Sequence, residues 1–171
     1  STEIYRNRKR DSAHRLEFDE NKVEDTVKQW FSQKTSVEWR RLARSPYRQI
    51  EFIVTMYFLE KYLPKQGLVL DAGGGPGRYA IELTKRGHDV VLLDLVPEML
   101  TVAERKIRRA GMSGKVRQFI PGSIEDLSAF ADGTFDSVLC LGGPLGHLLN
   151  ARQRGRAAAE IARVAKVGAP L

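Results

Sequence analysis

The sequence predicts an open α/β sheet of parallel strands behind a helical cap. Three observations carry this. From Leu68 onward, short apolar runs alternate with segments whose apolar residues recur at helical spacing. Those segments are bounded by helix punctuation, with Pro97 at a start and Gly87 and Gly111 just past ends. Before Leu68 the periodicity is helical.

Taken in order, "NKVEDTVKQWFSQ" offers Val23, Val27, Trp30 and Phe31 on one helical face, which must cover something. Ser45-Pro46 then punctuates the chain. Ile50, Ile53, Val54, Tyr57 and Phe58 repeat at i, i+3, i+4, i+7 and i+8, the spacing of a helix with a buried face, which stops near Pro64 and Gly67. "LVLD" (68–71) is a short buried strand, 78–87 a helix, and 89–95 a strand apolar on both sides, as central parallel strands are. A helix over 97–111, strands over 116–120 and 135–141 and a helix over 152–168 follow, Gly155 weakening the last helix's first turn. Strands separated by helix-length segments give βαβ units with right-handed crossovers, hence a Rossmann-like sheet. One domain is expected over 1–171, with residues 1–66 as the cap and 67–171 as the core. Ligands of such sheets bind outside the carboxyl ends of the strands, near the switch point.

Composition sets wide bounds. Of 171 residues, 42% are hydrophobic and 29% charged, ordinary for a globular chain. Cys140 is the one cysteine, so no intrachain disulfide forms and a reducing, cytoplasmic setting is expected. No apolar run reaches the roughly 18–20 residues of a membrane span, and the charged N-terminus carries no apolar signal segment. The net charge of +7 admits a nucleic-acid partner. Its one dense cluster, Arg6 to Arg10, is followed closely by Asp11, Glu17, Asp19 and Glu20, as on a solvated surface. No metal site is expected, and the oligomeric state is not legible.

The chemistry concentrates in "LVLDAGGGPGRYAIEL" (68–83). Gly73, Gly75 and Gly77 let the backbone pass close to a ligand, and the next helix offers free N–H groups. A dinucleotide fingerprint would read G-x-G-x-x-G; here the third glycine comes one residue early. No phosphate-loop lysine follows, because Arg78 stands after Gly77. Asp71 at the base of the turn would repel a pyrophosphate and suits a cation instead. Asp94 ends the second strand, placed to accept from ribose hydroxyls. A nucleoside with a cationic, non-phosphate tail is implied, and S-adenosyl-L-methionine fits.

"VLDAGGGPGRYAIEL", "VVLLDLVPEML", "FIPGSIEDL" and "FDSVLCLGG" together resemble the successive motifs of class I S-adenosylmethionine-dependent methyltransferases, in order and spacing, from Leu68 to the end of the chain. The resemblance implies that Asp71, Ala72, Gly73, Gly74 and Gly75 hold the methionine portion and Asp94 the ribose. Leu95 and Met99 would pack on the adenine, with Ser123 and Ile124 at its edge. Leu141 and Gly142 would offer carbonyls near the ammonium. Many relatives carry aspartate where Ser123 stands, so the adenine contact here lacks charge assistance. "RVAKVGAPL" reads as the run into a fifth strand that relatives follow with two more, so the chain reads as C-terminally truncated.

Single residues carry less. Cys140, inside an apolar strand, reads as a small buried hydrophobe. His147 is a weak candidate for a general base; His14 and His88 read as surface residues. The turn "GGPLGH" lacks the (Asp/Asn)-Pro-Pro-aromatic pattern of amino-group methylases of nucleic acids. Tyr47 and Arg48 precede the sheet, where segments of relatives close over the cofactor; Tyr47 is a candidate cofactor contact and Arg48 a candidate partner for the methionine carboxylate. Arg78 reads as solvated, Trp30 and Trp39 as packing residues of the cap, and Arg152, Arg156 and Arg163 as a wet helix face. The expected activity is methyl transfer to a small-molecule acceptor, releasing S-adenosyl-L-homocysteine. The alternatives are an RNA or protein acceptor, or a cofactor-binding module without transfer.

Overall fold

The computed structural model describes residues 19–171; His14 and the cluster from Arg6 to Arg10 lie outside them. The cap is three helices, α1 (Glu20–Ser32), α2 (Thr35–Arg41) and α3 (Pro46–Tyr62). At the start of α3 the Ser45 hydroxyl accepts from the Arg48 N–H, and Pro46, which has no N–H to satisfy, takes the first helical position. The face of α3 expected to be buried is exposed: Ile50, Ile53, Val54, Tyr57 and Phe58 stand in solvent. Met56 is buried instead, with Phe52 and Leu59 packed beside it. The helix is apolar on both sides, so spacing alone does not select the inward face.

The core comprises β1 (Leu68–Ala72), α4 (Arg78–Lys85), β2 (Asp89–Asp94), α5 (Pro97–Arg109), β3 (Val116–Pro121), β4 (Ser137–Leu139) and α6 (Ala151–Val164). The four strands form one parallel sheet in the order β3-β2-β1-β4. The chain steps outward from β1 to β3 and then returns past β1 to β4, which sets the switch point between β1 and β4. Successive strand residues face opposite sides, and both sides are apolar. Val69, Val90 and Leu92 pack with Ala80, Leu83, Ala103 and Ile107 of α4 and α5. Leu70, Val91, Leu93 and Val138 pack with Phe135, Ala157, Ile161 and Val164 on the side of α6.

Several boundaries move. β4 is three residues long, not seven: Phe135 forms an isolated bridge to Ala165 instead, and Gly142 and Gly143, with φ of +78° and +102°, turn the chain after Leu141. α6 stops at Val164, since Ala165 turns extended to bridge Phe135. The expected run into a fifth strand is reduced to that bridge and to the Pro170 carbonyl, which accepts from the Val138 N–H at 3.3 Å and from Ser137 Oγ at 2.9 Å. His88 is no surface residue: it is 4% exposed at the start of β2, and burial pushes its pKa down. Arg163 does not sit on a wet face. It donates to the carbonyls of Leu127 and Phe130 and pairs with Glu160, stapling the long β3–β4 connection to α6. No helix among the described residues is long and apolar enough to cross a membrane.

Candidate cofactor site

A cleft opens at the carboxyl ends of β1 and β2, roofed by α1 and bounded by the segment after β4. The glycine turn is tied down on its strand side. The N–H groups of Gly73 and Gly74 both donate to the Leu93 carbonyl, at 2.7 and 3.2 Å. The N–H of Gly75 donates to Asp94 Oδ2 at 2.8 Å, and Asp94 Oδ1 accepts from Val96. The turn therefore keeps none of these three donors for a phosphate.

Glycine is required here by proximity. A Cβ on Gly74 would lie 2.4 Å from Asp71 Oδ2 and 2.4 Å from Leu92 Cδ1, and one on Gly73 would meet Pro144 Cγ at 2.4 Å. Asp71, at the end of β1, is 1% exposed, and its Oδ2 has no hydrogen-bond partner among the described residues. Burial, and secondarily the Asp94 charge, pushes its pKa up to about 7. Burial raises that of Asp94 as well, against the two backbone donors that favour its charged form. A buried carboxylate oxygen without a partner is costly. A hydrogen-bond donor would relieve that cost, and none of the described residues supplies one.

Asp71, Gly73, Gly74, Gly75, Asp94, Leu95, Met99, Ser123, Ile124, Leu141, Gly142 and His147 all line this cleft. Two expected contacts do not. Ala72 is fully buried in the core beneath it. Tyr47 is 73% exposed on α3, off the cleft, with the Arg48 guanidinium over its ring. Arg48 itself pairs with Glu51, 2.5 Å away. Arg41 does line the cleft, held by Glu38 and Glu51, with Nη2 3.0 Å from where a Cβ on Gly142 would sit. Nothing in the spacing of "RRLARS" singles out Arg41. Arg78, expected in solvent, donates to the Trp39 carbonyl, and the Arg78 and Lys106 cations each stand 4.4 Å from the Trp39 ring centroid. Trp39 is thus a packing residue, as expected, whereas Trp30 is half exposed. His147 is exposed at the cleft mouth, its ring 5.2 Å edge-on from Phe31 of α1. Burial pushes the Cys140 thiol up, away from nucleophilic use.

A methyltransferase domain family matches residues 69–168, more than half of the chain. The chain belongs to this family. As a methyltransferase domain of this fold, it has S-adenosyl-L-methionine as the implied cofactor. Among similar proteins, a tRNA 5-carboxymethoxyuridine methyltransferase of Escherichia coli K12 is 37% identical over 76 residues, 44% of this chain and 29% of that one. A glycine/sarcosine N-methyltransferase of Halorhodospira halochloris is 28% identical over 153 residues, 88% of this chain and 50% of that one. The crystal structure of a SAM-dependent methyltransferase from Methanosarcina mazei is 29% identical with a TM-score of 0.55, covering 66% of this chain and 53% of that one. This methyltransferase domain thus spans at most about half the length of these curated relatives. No cluster of metal ligands occurs among the described residues.

Proposed function

We propose that this chain carries the cofactor site of an S-adenosyl-L-methionine-dependent methyltransferase acting on a small molecule. The observation that carries the reading is the buried, unpartnered Asp71 Oδ2 beside a glycine turn whose N–H groups are already committed. That combination disfavours pyrophosphate and favours a ligand with an ammonium. When bound, the cofactor supplies an electrophilic methyl on a sulfonium sulfur. Asp71 would hold its ammonium and Arg41 its carboxylate, the two groups of one amino-acid end. Asp94 retains acceptor capacity for ribose hydroxyls, since a carboxylate has about four lone-pair sites. Leu95, Met99 and Ile124 give the adenine apolar surface, and the Ser123 hydroxyl replaces the carboxylate many relatives use. The roof of α1 keeps water from the reacting atoms. His147, at the mouth, is the candidate to take a proton from an acceptor. A cytoplasmic setting, expected from the single cysteine, belongs to the same proposal.

Calorimetric titration tests it. S-adenosyl-L-homocysteine should bind and NADH should not; the reverse would overturn the assignment. An RNA acceptor is the second reading, favoured by the net charge of +7. Its mark would be RNA affinity that falls steeply with salt.

A further inference from the structure

Most charged side chains of the cleft are already answered from within the fold. Glu24 pairs with Lys28, Glu38 with Arg41, and Glu125 with Arg156. Arg41 is shared with Glu51, and Arg78 is turned onto the Trp39 carbonyl. Gln153 accepts from the Leu149 N–H and donates to Glu125. Asp71, Asp94 and the free edge of Arg41 are claimed by the cofactor reading, on which the present inference rests. Apart from Tyr79, Ser123 and His147, the side chains left at the cleft wall are apolar.

Val23, Val27 and Phe31 of α1 line it at i, i+4 and i+8. That spacing makes one straight ridge about 12 Å long. Pro144, Leu148 and Leu149 after β4 also line the cleft, and Phe31 meets this side through His147. The cleft holds about 160 Å³ and opens to solvent at its mouth. Apolar side chains facing an open cleft remain in contact with water until a ligand displaces it.

We infer that the space between the α1 ridge and residues 144–149 is an acceptor subsite for an uncharged small molecule with an apolar, ring-sized face. A zwitterion such as glycine would find no unpaired charge among the described residues there, and a polyanion would find no row of free cations. The polar atom to be methylated would lie towards His147, while the body of the molecule lies along Val23, Val27 and Phe31.

2-Naphthol, an uncharged fused-ring phenol, is the probe. It is titrated by its own fluorescence into the full chain saturated with S-adenosyl-L-homocysteine, with glycine and a short RNA hairpin as competitors. Saturable binding is expected, weakened at least tenfold by Val27→Asp and less than twofold by Val27→Leu, with neither competitor displacing it. Affinity for S-adenosyl-L-homocysteine should change less than threefold in both variants, and unchanged helical circular dichroism should show that they fold. Naphthol binding indifferent to Val27→Asp, or displacement by glycine or RNA, would overturn the subsite. Failure of S-adenosyl-L-homocysteine to bind would instead overturn the cofactor reading beneath it.

Discussion

The backbone N–H of Gly75 donates to Asp94 Oδ2 over 2.8 Å, joining the turn after β1 to the end of β2. The bond holds the two halves of the cleft floor in register. Asp94 also lines the cleft. Asp94→Ala should therefore act twice. Loss of the bond should cost about 1–2 kcal/mol of stability in urea unfolding. S-adenosyl-L-homocysteine should bind about 1–3 kcal/mol more weakly by calorimetry. Unchanged affinity would remove Asp94 from the site.

The buried Asp71 carboxyl carries a stability cost that depends on pH. Its folded pKa, pushed up to about 7, lies above the ordinary carboxylate value. The folded state therefore favours the protonated form, and its advantage is lost as pH rises from about 4 to about 7. Asp71→Asn removes that penalty. The ligand-free variant should be more stable than the parent at pH 8, by on the order of 2–4 kcal/mol, and no more stable at pH 4. It should also lose cofactor binding. Thermal melts at the two pH values check the first point and calorimetry the second.

The same group makes cofactor binding pH-dependent. An ammonium needs Asp71 ionised, so below about 7 the carboxyl must first give up its proton. Affinity for S-adenosyl-L-homocysteine should rise roughly tenfold per pH unit up to about 7 and level off above it. A flat profile between pH 5.5 and 8.5 would detach Asp71 from the ligand.

Gly74 and Gly75 should respond differently to alanine. At Gly74 the added Cβ meets Asp71 Oδ2 and Leu92 Cδ1, both 2.4 Å away. Gly74→Ala should cost about 2–3 kcal/mol, as overpacking does. At Gly75 the Cβ meets nothing within 4 Å, but φ is +55°. Gly75→Ala should cost only the conformational strain of about 1–2 kcal/mol. Urea unfolding of the two variants separates space from backbone conformation, and equal costs would contradict the assignment.

His88 is buried, its Nδ1 has no hydrogen-bond partner among the described residues, and burial lowers its pKa. Its neutral form belongs to the folded state, so it contributes stability above the unfolded value of about 6.5 that is lost as pH falls below it. His88→Phe should flatten the fall in melting temperature between pH 7 and pH 5. An identical slope in the variant would show that His88 titrates alike in the folded and unfolded states.

Much of the fold is legible in the sequence because parallel strands and their crossover helices write period and punctuation locally. "DVVLLDL" announces a strand buried on both faces, and β2 is one. Pro97 and Gly111 bracket α5. The inward face of α3 is not legible, because apolar residues surround it and only the packing of Met56 and Phe52 against Tyr79 decides. His88 follows a glycine and looks like a surface turn, yet the sheet closes over it.

The cleft divides along the same line. The sequence by itself determines the donor side: Asp71, the glycines and Asp94 lie at the ends of adjacent strands, where chain order fixes their neighbours. Only the tertiary structure decides that Arg41 rather than Arg48 or Tyr47 comes to the cleft, and that Arg78 turns away to Trp39. It also decides that the α1 ridge becomes a wall. Strand ends are positioned by backbone pairing between segments close in sequence. A cap helix is positioned by side-chain packing across long separations, and a side chain's spacing carries no record of which distant partner will claim it.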